Sequence, residues 1–239
     1  MRILITNDDG VNSPVLPAVA RFAKRFGDVT VIAPKVEQSG MSHAIDFIHP
    51  IEIKKVMIAP DVEAYSLDST PADCVRFGAL GLKEKYDLVI SGINRGYNLG
   101  SDIVYSGTVS AIFEAARLGI KGIALSAEPT HYESVAEQLP ELFDYIEKNG
   151  LFTHGSWYNV NIPHDSKGIK ITRQGGIFFT DRFVNTEGDI YIQEGEQAQT
   201  EAYDTSFDID AMIENYISIT PLLASRTDEK LVEKLTKSK

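Results

Sequence analysis

Short apolar segments with the length of buried strands alternate with segments of helical periodicity along residues 2–162. The strand-like segments are Arg2 to Thr6, Val29 to Ala33, Tyr65 to Leu67, Asp87 to Ser91, Ile120 to Ser126 and Asn159 to Ile162. Between the first two, Val15, Val19, Phe22 and Phe26 recur at helical spacing. This alternation predicts parallel βαβ units, and therefore an α/β fold with a doubly wound, mostly parallel, Rossmann-like sheet.

Capping residues and prolines mark the expected helix starts. Ser13-Pro14 and Thr70-Pro71 each predict a capping hydroxyl followed by proline in the first turn. Ser106-Gly107-Thr108 opens a further helix directly after a glycine-rich stretch. Pro140 must kink the helical segment 131–149 or begin its second half.

The pattern changes after about residue 155, although Asn159 to Ile162 still suits a last strand of the sheet. Residues 169–192 indicate extended segments with turns, including Glu187-Gly188-Asp189, and a strand near residues 216–220 and a helix near 228–235 follow. We therefore divide the chain into an α/β core, residues 1–165, and a C-terminal extension, residues 166–239. A projecting β-hairpin arm that mediates oligomers suits the extension, and an ordinary β-subdomain packed on its own chain is the alternative.

Charge and cysteine content exclude several classes of function. The formal net charge of −11 argues against binding to nucleic-acid polymers, which usually need a basic patch, but it leaves an anionic small substrate open. The single cysteine, Cys74, excludes an intrachain disulfide framework and a multi-cysteine metal site. Neither a signal peptide nor an apolar run of about 18 residues is visible, so we expect a cytoplasmic protein without a membrane partner.

Three loops that follow predicted strands are rich in polar residues. They carry Asn7-Asp8-Asp9-Gly10-Val11-Asn12, Gln38-Ser39-Gly40 and the glycine-rich segment Gly92 to Asp102. All three should open at the edge of the sheet where parallel folds bind ligands. Asp8 and Asp9 are adjacent carboxylates at the tip of a buried strand, so their repulsion requires a neutralising cation, and these loops supply only Arg95.

A bound divalent metal would neutralise the two carboxylates. Two carboxylates, a serine hydroxyl and an asparagine amide oxygen form an all-oxygen set, which suits Mg²⁺ or Mn²⁺ better than zinc or copper. We therefore predict one Mg²⁺ or Mn²⁺ ion per subunit. The alternative is that Asp8 and Asp9 only cap the following helix or form a turn.

The helix start at Ser106-Gly107-Thr108 is a second candidate for ligand binding. Free backbone N–H groups and the helix dipole make such an end an anion site, and a phosphate there would face the proposed metal. A capped helix without a ligand is the alternative. Of the other candidates, His43 is better explained as a surface or hydrogen-bonded residue, Cys74 as core, and Glu114 as a tie between the loops.

These motifs resemble those of the SurE family of 5′/3′-nucleotidases. The resemblance rests on Asn7 to Gly10, Gln38 to Gly40, Ser69 to Cys74, Ser91 to Gly100, Tyr105 to Val109 and Tyr216 to Leu222. It spans nearly the whole chain, and the long asparagine-glycine motif with its Ser-Gly-Thr partner is highly specific.

The resemblance implies both a site and an assembly. The metal ligands would be Asp8, Asp9, Ser39 and Asn94. The phosphate pocket would be lined by Asn98, Ser106, Gly107 and Thr108. From the same polar loops we add Asn12 and Gly40 as phosphate-binding residues. The hairpin would be exchanged between the subunits of a homodimer or homotetramer. The substrates would be nucleoside monophosphates, with short polyphosphate for some members.

We therefore predict a divalent-metal-dependent phosphomonoesterase that hydrolyses nucleoside 5′- or 3′-monophosphates to nucleoside and phosphate. Asp8 or Asp9, as catalytic residues, would orient or deprotonate the attacking water, and an aspartyl-phosphate on Asp8 is the alternative route. Two other classes stay open: a non-catalytic nucleotide-binding regulator and a receiver-like phosphoacceptor domain. The receiver-like domain needs a phosphoacceptor aspartate after a central strand and a lysine after a later one. Asp102 lies within a glycine loop instead, and Ser126 at the end of a strand is not directly followed by a lysine.

Overall fold

A mostly parallel sheet forms the centre of the computed structural model, which describes residues 1–237. The strands are β1 (Arg2–Thr6), β2 (Asp28–Pro34), β3 (Ile53–Val56), β4 (Glu63–Leu67), β5 (Leu88–Arg95), β6 (Lys121–Ala127), β7 (Trp157–Ile162), β8 (Ile169–Ile171), β9 (Phe179–Glu187), β10 (Ile190–Gln197) and β11 (Ile217–Pro221). Nine of them join the sheet in the order β3-β4-β2-β1-β5-β6-β7-β11-β8. Within this sheet, as far as residues 1–237 describe it, only the pairs β3–β4 and β7–β11 are antiparallel, so the predicted α/β sheet is confirmed.

Seven α-helices connect or flank these strands in the described part of the chain. They are α1 (Leu16–Ala23), α2 (Pro71–Arg76), α3 (Gly107–Arg117), α4 (Leu139–Lys148), α5 (Leu151–His154), α6 (Asp208–Ile213) and α7 (Glu229–Lys237). None of the helices within residues 1–237 combines the length and apolar character that a membrane span requires.

Three of the four predicted helix starts are confirmed. Thr70 caps α2 and Ser106 caps α3, each through a hydroxyl that accepts a backbone N–H bond, and Pro140 lies in the first turn of α4. The prediction that Ser13 caps the first helix is wrong. That helix begins at Leu16 without a side-chain cap, and the proline in its first turn is Pro17. The Ser13 hydroxyl instead makes a hydrogen bond to the Tyr132 hydroxyl, at 2.6 Å.

The hydrophobic core lies on both faces of the sheet. Ile3 and Ile5 pack in one cluster with residues of α1 and α4, whereas Leu4 packs in a second cluster with residues of α2 and α3. Because successive strand residues point to opposite faces, the two clusters cover opposite faces of β1. Burial on both faces explains why this central strand is a continuous apolar run in the sequence.

The C-terminal extension contributes to the sheet and also projects from it. Strands β8 and β11 join the central sheet, whereas β9 and β10 form a separate antiparallel hairpin whose strand residues are mainly exposed. The predicted hairpin is therefore present, and the predicted boundary at residue 165 falls between strands of one sheet. The division into two domains stays a prediction, and positions 238–239 of the extension lie outside the described residues.

Candidate active site

The three polar loops meet at one edge of the sheet because β2, β1 and β5 are parallel neighbours. The Gln38 N–H donates to the Asp8 carbonyl oxygen at 2.7 Å and joins the first two loops. The Arg95 N–H donates to Asp9 Oδ2 at 3.3 Å and joins the third loop to the first. The sequence thus correctly predicted that these loops open together.

A cavity of about 650 Å³ opens where the loops meet. Six of the predicted site residues line it: Asp8, Ser39, Gly40, Asn94, Asn98 and Ser106. Asp9 and Asn12 instead line an adjacent cavity of about 630 Å³, and Arg95 borders both. Gly107 and Thr108 lie against the Asp8 side chain.

Asp8 is a buried carboxylate that lacks a cationic partner. Its residue is 4% exposed, and it forms no ion pair with any residue in the range 1–237. The Thr108 hydroxyl donates to Asp8 Oδ1 at 2.5 Å. Burial raises the pKa of Asp8 to about 6, the bond from Thr108 opposes this rise, and the neighbouring Asp9 charge adds to it. The pocket therefore holds a carboxylate whose negative charge is poorly compensated.

The start of α3 stabilises this carboxylate directly. Both the hydroxyl and the backbone N–H of Thr108 lower the pKa of Asp8, and a Cβ at Gly107 would lie 3.2 Å from Asp8 Cβ. Glycine at position 107 thus permits the close approach of Asp8 to the helix start. The Val109 N–H is taken by the Ser106 hydroxyl at 3.1 Å. The sequence did not indicate that the hydroxyl and N–H of Thr108 bind the Asp8 carboxylate. The assignment of Thr108 to phosphate binding stays a prediction.

Asp9 is half-buried and held through one oxygen. Its Oδ2 accepts hydrogen bonds from the Tyr132 hydroxyl, at 3.1 Å, and from the Arg95 N–H. Burial raises the pKa of Asp9, and the two hydrogen bonds partly offset that effect. Both adjacent aspartates therefore favour a nearby positive charge.

The donor set fits a hard divalent cation. The Asn94 side-chain nitrogen donates to the Gly96 carbonyl at 2.8 Å, so Asn94 Oδ1 is the atom that could ligate a metal. The Ser39 hydroxyl donates to Glu37 at 2.7 Å, which leaves its oxygen lone pairs for a ligand. Within residues 1–237, no three His, Cys, Asp or Glu side chains are grouped to hold a metal. A cation at this edge would depend on hydroxyl and amide oxygens beside the two aspartates, a chemistry that favours Mg²⁺ or Mn²⁺.

Comparison with known proteins identifies the family. A sequence model of the family described as "Survival protein SurE" matches residues 3–181. The chain belongs to the SurE family. The resemblance that its motifs indicate is thereby confirmed.

Relatives of the same family match along nearly the full length. A "5'-nucleotidase SurE" from Thermosipho melanesiensis is 39% identical over 249 residues, which cover 98% of this chain and 96% of the relative. One from Clostridium beijerinckii is 37% identical, with 99% and 98% covered. A crystal structure of the SurE protein from Aquifex aeolicus superposes with a TM-score of 0.82 at 35% identity and covers 99% of both chains. The fold shown here is thus the SurE fold.

Two asparagines of β7 hold the Asn98 loop of this SurE chain in place. The side-chain nitrogens of Asn159 and Asn161 donate to the Asn98 carbonyl at 2.8 and 2.9 Å, and the Asn98 N–H donates to Asn161 Oδ1 at 2.8 Å. The Asn98 side chain itself donates to the Ser126 hydroxyl at 2.8 Å. Sequence reasoning missed these supports. The signal was the alternation of two asparagines within an apolar strand, which puts both on one face of the sheet.

The glycine-rich loop is also anchored to the C-terminal extension. Asp208 accepts hydrogen bonds from the Gly100 and Gly175 N–H groups at 2.9 and 2.7 Å. At Gly100, where φ is +55°, a Cβ would collide with the Gly176 carbonyl oxygen. Glycine is required there for both backbone conformation and close approach. Nothing local in the sequence points to this contact.

A second carboxylate anchors the root of the hairpin arm. Asp102 accepts hydrogen bonds from the N–H groups of Phe178 and Phe179 at 2.9 and 2.8 Å. Both phenylalanines line the cavity that contains Asp8. The glycine-rich loop, through Asp102, is therefore hydrogen-bonded to Phe178 and Phe179, which form the aromatic wall of the cavity.

Glu114, a further buried carboxylate, lies outside this cavity and is 2% exposed. It pairs with His43 at 3.0 Å, Arg76 at 3.1 Å and Arg117 at 2.9 Å. Burial alone would raise its pKa, but the bonds from His43, Arg117 and Arg76 outweigh burial and lower the pKa of Glu114 to about 2. The prediction that His43 is a hydrogen-bonded residue agrees with this geometry, and Cys74 is buried as expected.

Proposed function

We propose that this SurE-family protein hydrolyses nucleoside monophosphates to nucleoside and phosphate, with a divalent cation held by Asp8, Asp9, Ser39 and Asn94. The observation that carries the proposal is Asp8, a buried carboxylate that faces a cavity at the ligand-binding edge of the sheet and has no cationic partner among the described residues. The relatives that carry the name 5'-nucleotidase support the choice of substrate.

The lining of the cavity suits a phosphate joined to a nucleoside. Its volume of about 650 Å³ lies within the usual range of small-molecule sites. Asp8, Asn98 and Ser106 form a polar part, and Phe178 and Phe179 contribute an aromatic part. We place the phosphate at the polar part and the base and sugar against the aromatic part.

The proposed chemistry is direct hydrolysis. A Mg²⁺ or Mn²⁺ ion held by Asp8, Asp9, Ser39 and Asn94 would supply charge stabilisation for the phosphate and would make a nearby water more acidic. Asp8 or Asp9 orients the attacking water and accepts its proton as the water oxygen bonds to phosphorus, while Asn98, Ser106 and the start of α3 hold phosphate oxygens. The ester P–O bond breaks in the same step, and the proton passes on to the departing nucleoside oxygen. If Asp8 attacked phosphorus instead, water would then displace the aspartate from phosphorus, and the two displacements would retain the configuration of an isotopically chiral phosphate; direct hydrolysis, a single displacement, should invert it.

A phosphate-release assay tests the proposal. We would assay nucleoside 5′- and 3′-monophosphates and short polyphosphate with Mg²⁺, Mn²⁺ or a chelator. We expect release that requires the metal, and Asn94→Ala should reduce it about 100-fold or more. Asp87→Asn is a matched control, because Asp87 contacts the Arg2 N–H at the opposite end of the central strands.

The outcomes separate the proposal from its rivals. Nucleotide binding without phosphate release in any metal would favour a non-catalytic regulator. Full activity in excess chelator, or full activity of Asn94→Ala, would refute the metal site while leaving the family assignment unchanged.

We further propose that the hairpin arm joins subunits into a homodimer or homotetramer. Phe183, Ile190, Tyr191 and Ile192 on β9 and β10 are 51–72% exposed, and an isolated two-stranded hairpin is marginally stable in water. Sedimentation should show an oligomer that dissociates when Phe183 and Ile192 are replaced by glutamate. A monomeric wild-type chain would contradict this proposal.

A further inference from the structure

Tyr132 connects two residues of the loop that follows β1. Its hydroxyl lies 3.1 Å from Asp9 Oδ2 and 2.6 Å from the Ser13 hydroxyl oxygen. Tyr132 comes from the segment between β6 and α4, which is distant in sequence from both partners. Tyr132 and Ser13 are each only 6% exposed, so water competes little for these hydrogen bonds.

The protons of this chain of groups can be assigned from their chemistry. An ionised carboxylate only accepts hydrogen bonds, and a tyrosine hydroxyl has a single proton to donate. The Tyr132 proton therefore goes to Asp9, and the Ser13 hydroxyl must donate to the Tyr132 oxygen. A tyrosine hydroxyl keeps its proton near neutral pH, so it is available to donate.

Both hydrogen bonds to the Asp9 side chain reach the same oxygen. Tyr132 and the Arg95 N–H approach Oδ2 from different loops and fix the rotation of the carboxylate. With Oδ2 engaged, Oδ1 is the atom that Asp9 would present to a cation. Hydrogen-bonded partners of this kind orient metal-ligating carboxylates in many proteins.

We propose that Tyr132 is a positioning residue that, with Ser13 behind it, orients Asp9 for binding the divalent cation. This inference rests on the proposed function, because it requires Asp9 to be a metal ligand. It assigns a role to Tyr132 and explains why Ser13, which resembles a helix cap in the sequence, is not one.

Direct Mn²⁺ binding, followed by electron paramagnetic resonance on the full chain, tests this role. We expect Tyr132→Phe to weaken Mn²⁺ binding about 10- to 100-fold. In turnover assays we expect a matching rise in the Mn²⁺ concentration needed for half-maximal activity, with an unchanged KM for the nucleotide at saturating Mn²⁺. A purely structural tyrosine would change thermal stability but not these metal-binding constants.

Tyr158→Phe is a matched control. Tyr158 belongs to the same hydrophobic cluster as Tyr132, is 5% exposed, and donates its hydroxyl proton to the Leu151 carbonyl at 2.5 Å. The variant loses a buried tyrosine hydroxyl away from Asp9, so its Mn²⁺ affinity should equal that of the wild type. Equal weakening in both variants would overturn the proposal.

Ser13→Ala keeps the test decisive if Tyr132→Phe fails to fold. It removes only the bond that orients Tyr132, so we expect a smaller loss of Mn²⁺ affinity, about 2- to 10-fold. If the wild type binds Mn²⁺ and both the Tyr132 and Ser13 variants bind it equally well, the positioning role is refuted while the proposed function stands. If the wild type binds no Mn²⁺, the proposed metal site falls, and this role falls with it.

Discussion

Two buried carboxylates lie on or beside helix α3, and their surroundings shift their pKa values in opposite directions. Glu114, on the helix itself, is surrounded by two arginines and a histidine, and its pKa is lowered to about 2. Asp8, in the loop after β1, lies against the start of the helix and is nearly as buried. Within residues 1–237 it has hydrogen bonds but no cationic partner, and its pKa is raised to about 6. The difference teaches that burial alone does not mark a functional carboxylate. The informative feature is burial beside an open cavity without a cationic partner.

The largest expected difference between the two carboxylates is in turnover. Asp8→Asn should lower kcat/KM for a nucleoside monophosphate about 100- to 10,000-fold, because it removes a metal ligand and a candidate proton acceptor. Glu114→Gln, assayed at a temperature where it is folded, should stay close to the wild type. Similar losses in both variants, measured by phosphate release, would remove the functional distinction between them.

The next effect is on stability, where Glu114 should dominate. Glu114→Gln removes the carboxylate that pairs with Arg117 and leaves Arg76 with only the longer contact to Asp73, at 3.7 Å. It should cost about 3 kcal/mol near pH 7, as measured by urea unfolding. The folded pKa of about 2 lies below the unfolded value of 4.5, so the contribution is complete above pH 4.5 and is lost as the pH falls towards 2. Glu147→Gln on the exposed side of α4 is the control, and a pH-independent cost for Glu114→Gln would contradict this account.

A smaller effect of opposite sign is expected at Asp8. In chelator near pH 7, Asp8→Asn should stabilise the protein by about 1–3 kcal/mol, because it removes a poorly compensated buried charge. The folded pKa of about 6 lies above the unfolded value of 3.8, so the gain should be complete above pH 6 and vanish below pH 3.8. Added Mn²⁺ should raise the Tm of the wild type but not that of Asp8→Asn, so the wild type should then be the more stable of the two. A destabilised Asp8→Asn protein in chelator would show that Asp8 has stabilising partners in the fold.

The smallest expected effect concerns the hydroxyl that supports Asp8. Thr108→Val removes the 2.5 Å hydrogen bond without changing the side-chain shape and should destabilise the protein by about 1 kcal/mol. It should also raise the pKa of Asp8 further, which nuclear magnetic resonance of the labelled carboxyl in chelator can follow. Thr108→Ser keeps the donor and should behave like the wild type. Identical titration of Asp8 in all three proteins would mean that this hydroxyl has no influence on Asp8.

Local patterns in the sequence were enough to predict the sheet and the three polar loops that meet at its edge. The apolar run of β1, the capping residues Thr70 and Ser106, and the three polar loops each depend on neighbours in sequence, so they could be predicted. Ser13 misled because a hydroxyl before proline looks the same whether it caps a helix or bonds to a distant side chain.

The contacts that support the site could not be predicted because they join distant segments. Tyr132 reaches Asp9 across 123 positions, and Asp208 reaches Gly100 across 108. Only the topology of the sheet brings such groups together. Asn159 and Asn161 are intermediate, because their alternation in a buried strand was visible although their partner was not.

The contacts of Gly100 with Gly176 and Asp208 affect where the polypeptide can be truncated. A fragment ending at residue 165 would keep every predicted metal and phosphate ligand, yet it would lose the carbonyl and the carboxylate that hold their glycine-rich segment. We therefore expect that such a fragment cannot be transplanted as an autonomous catalytic module. We expect activity only in chains that continue at least to Asp208.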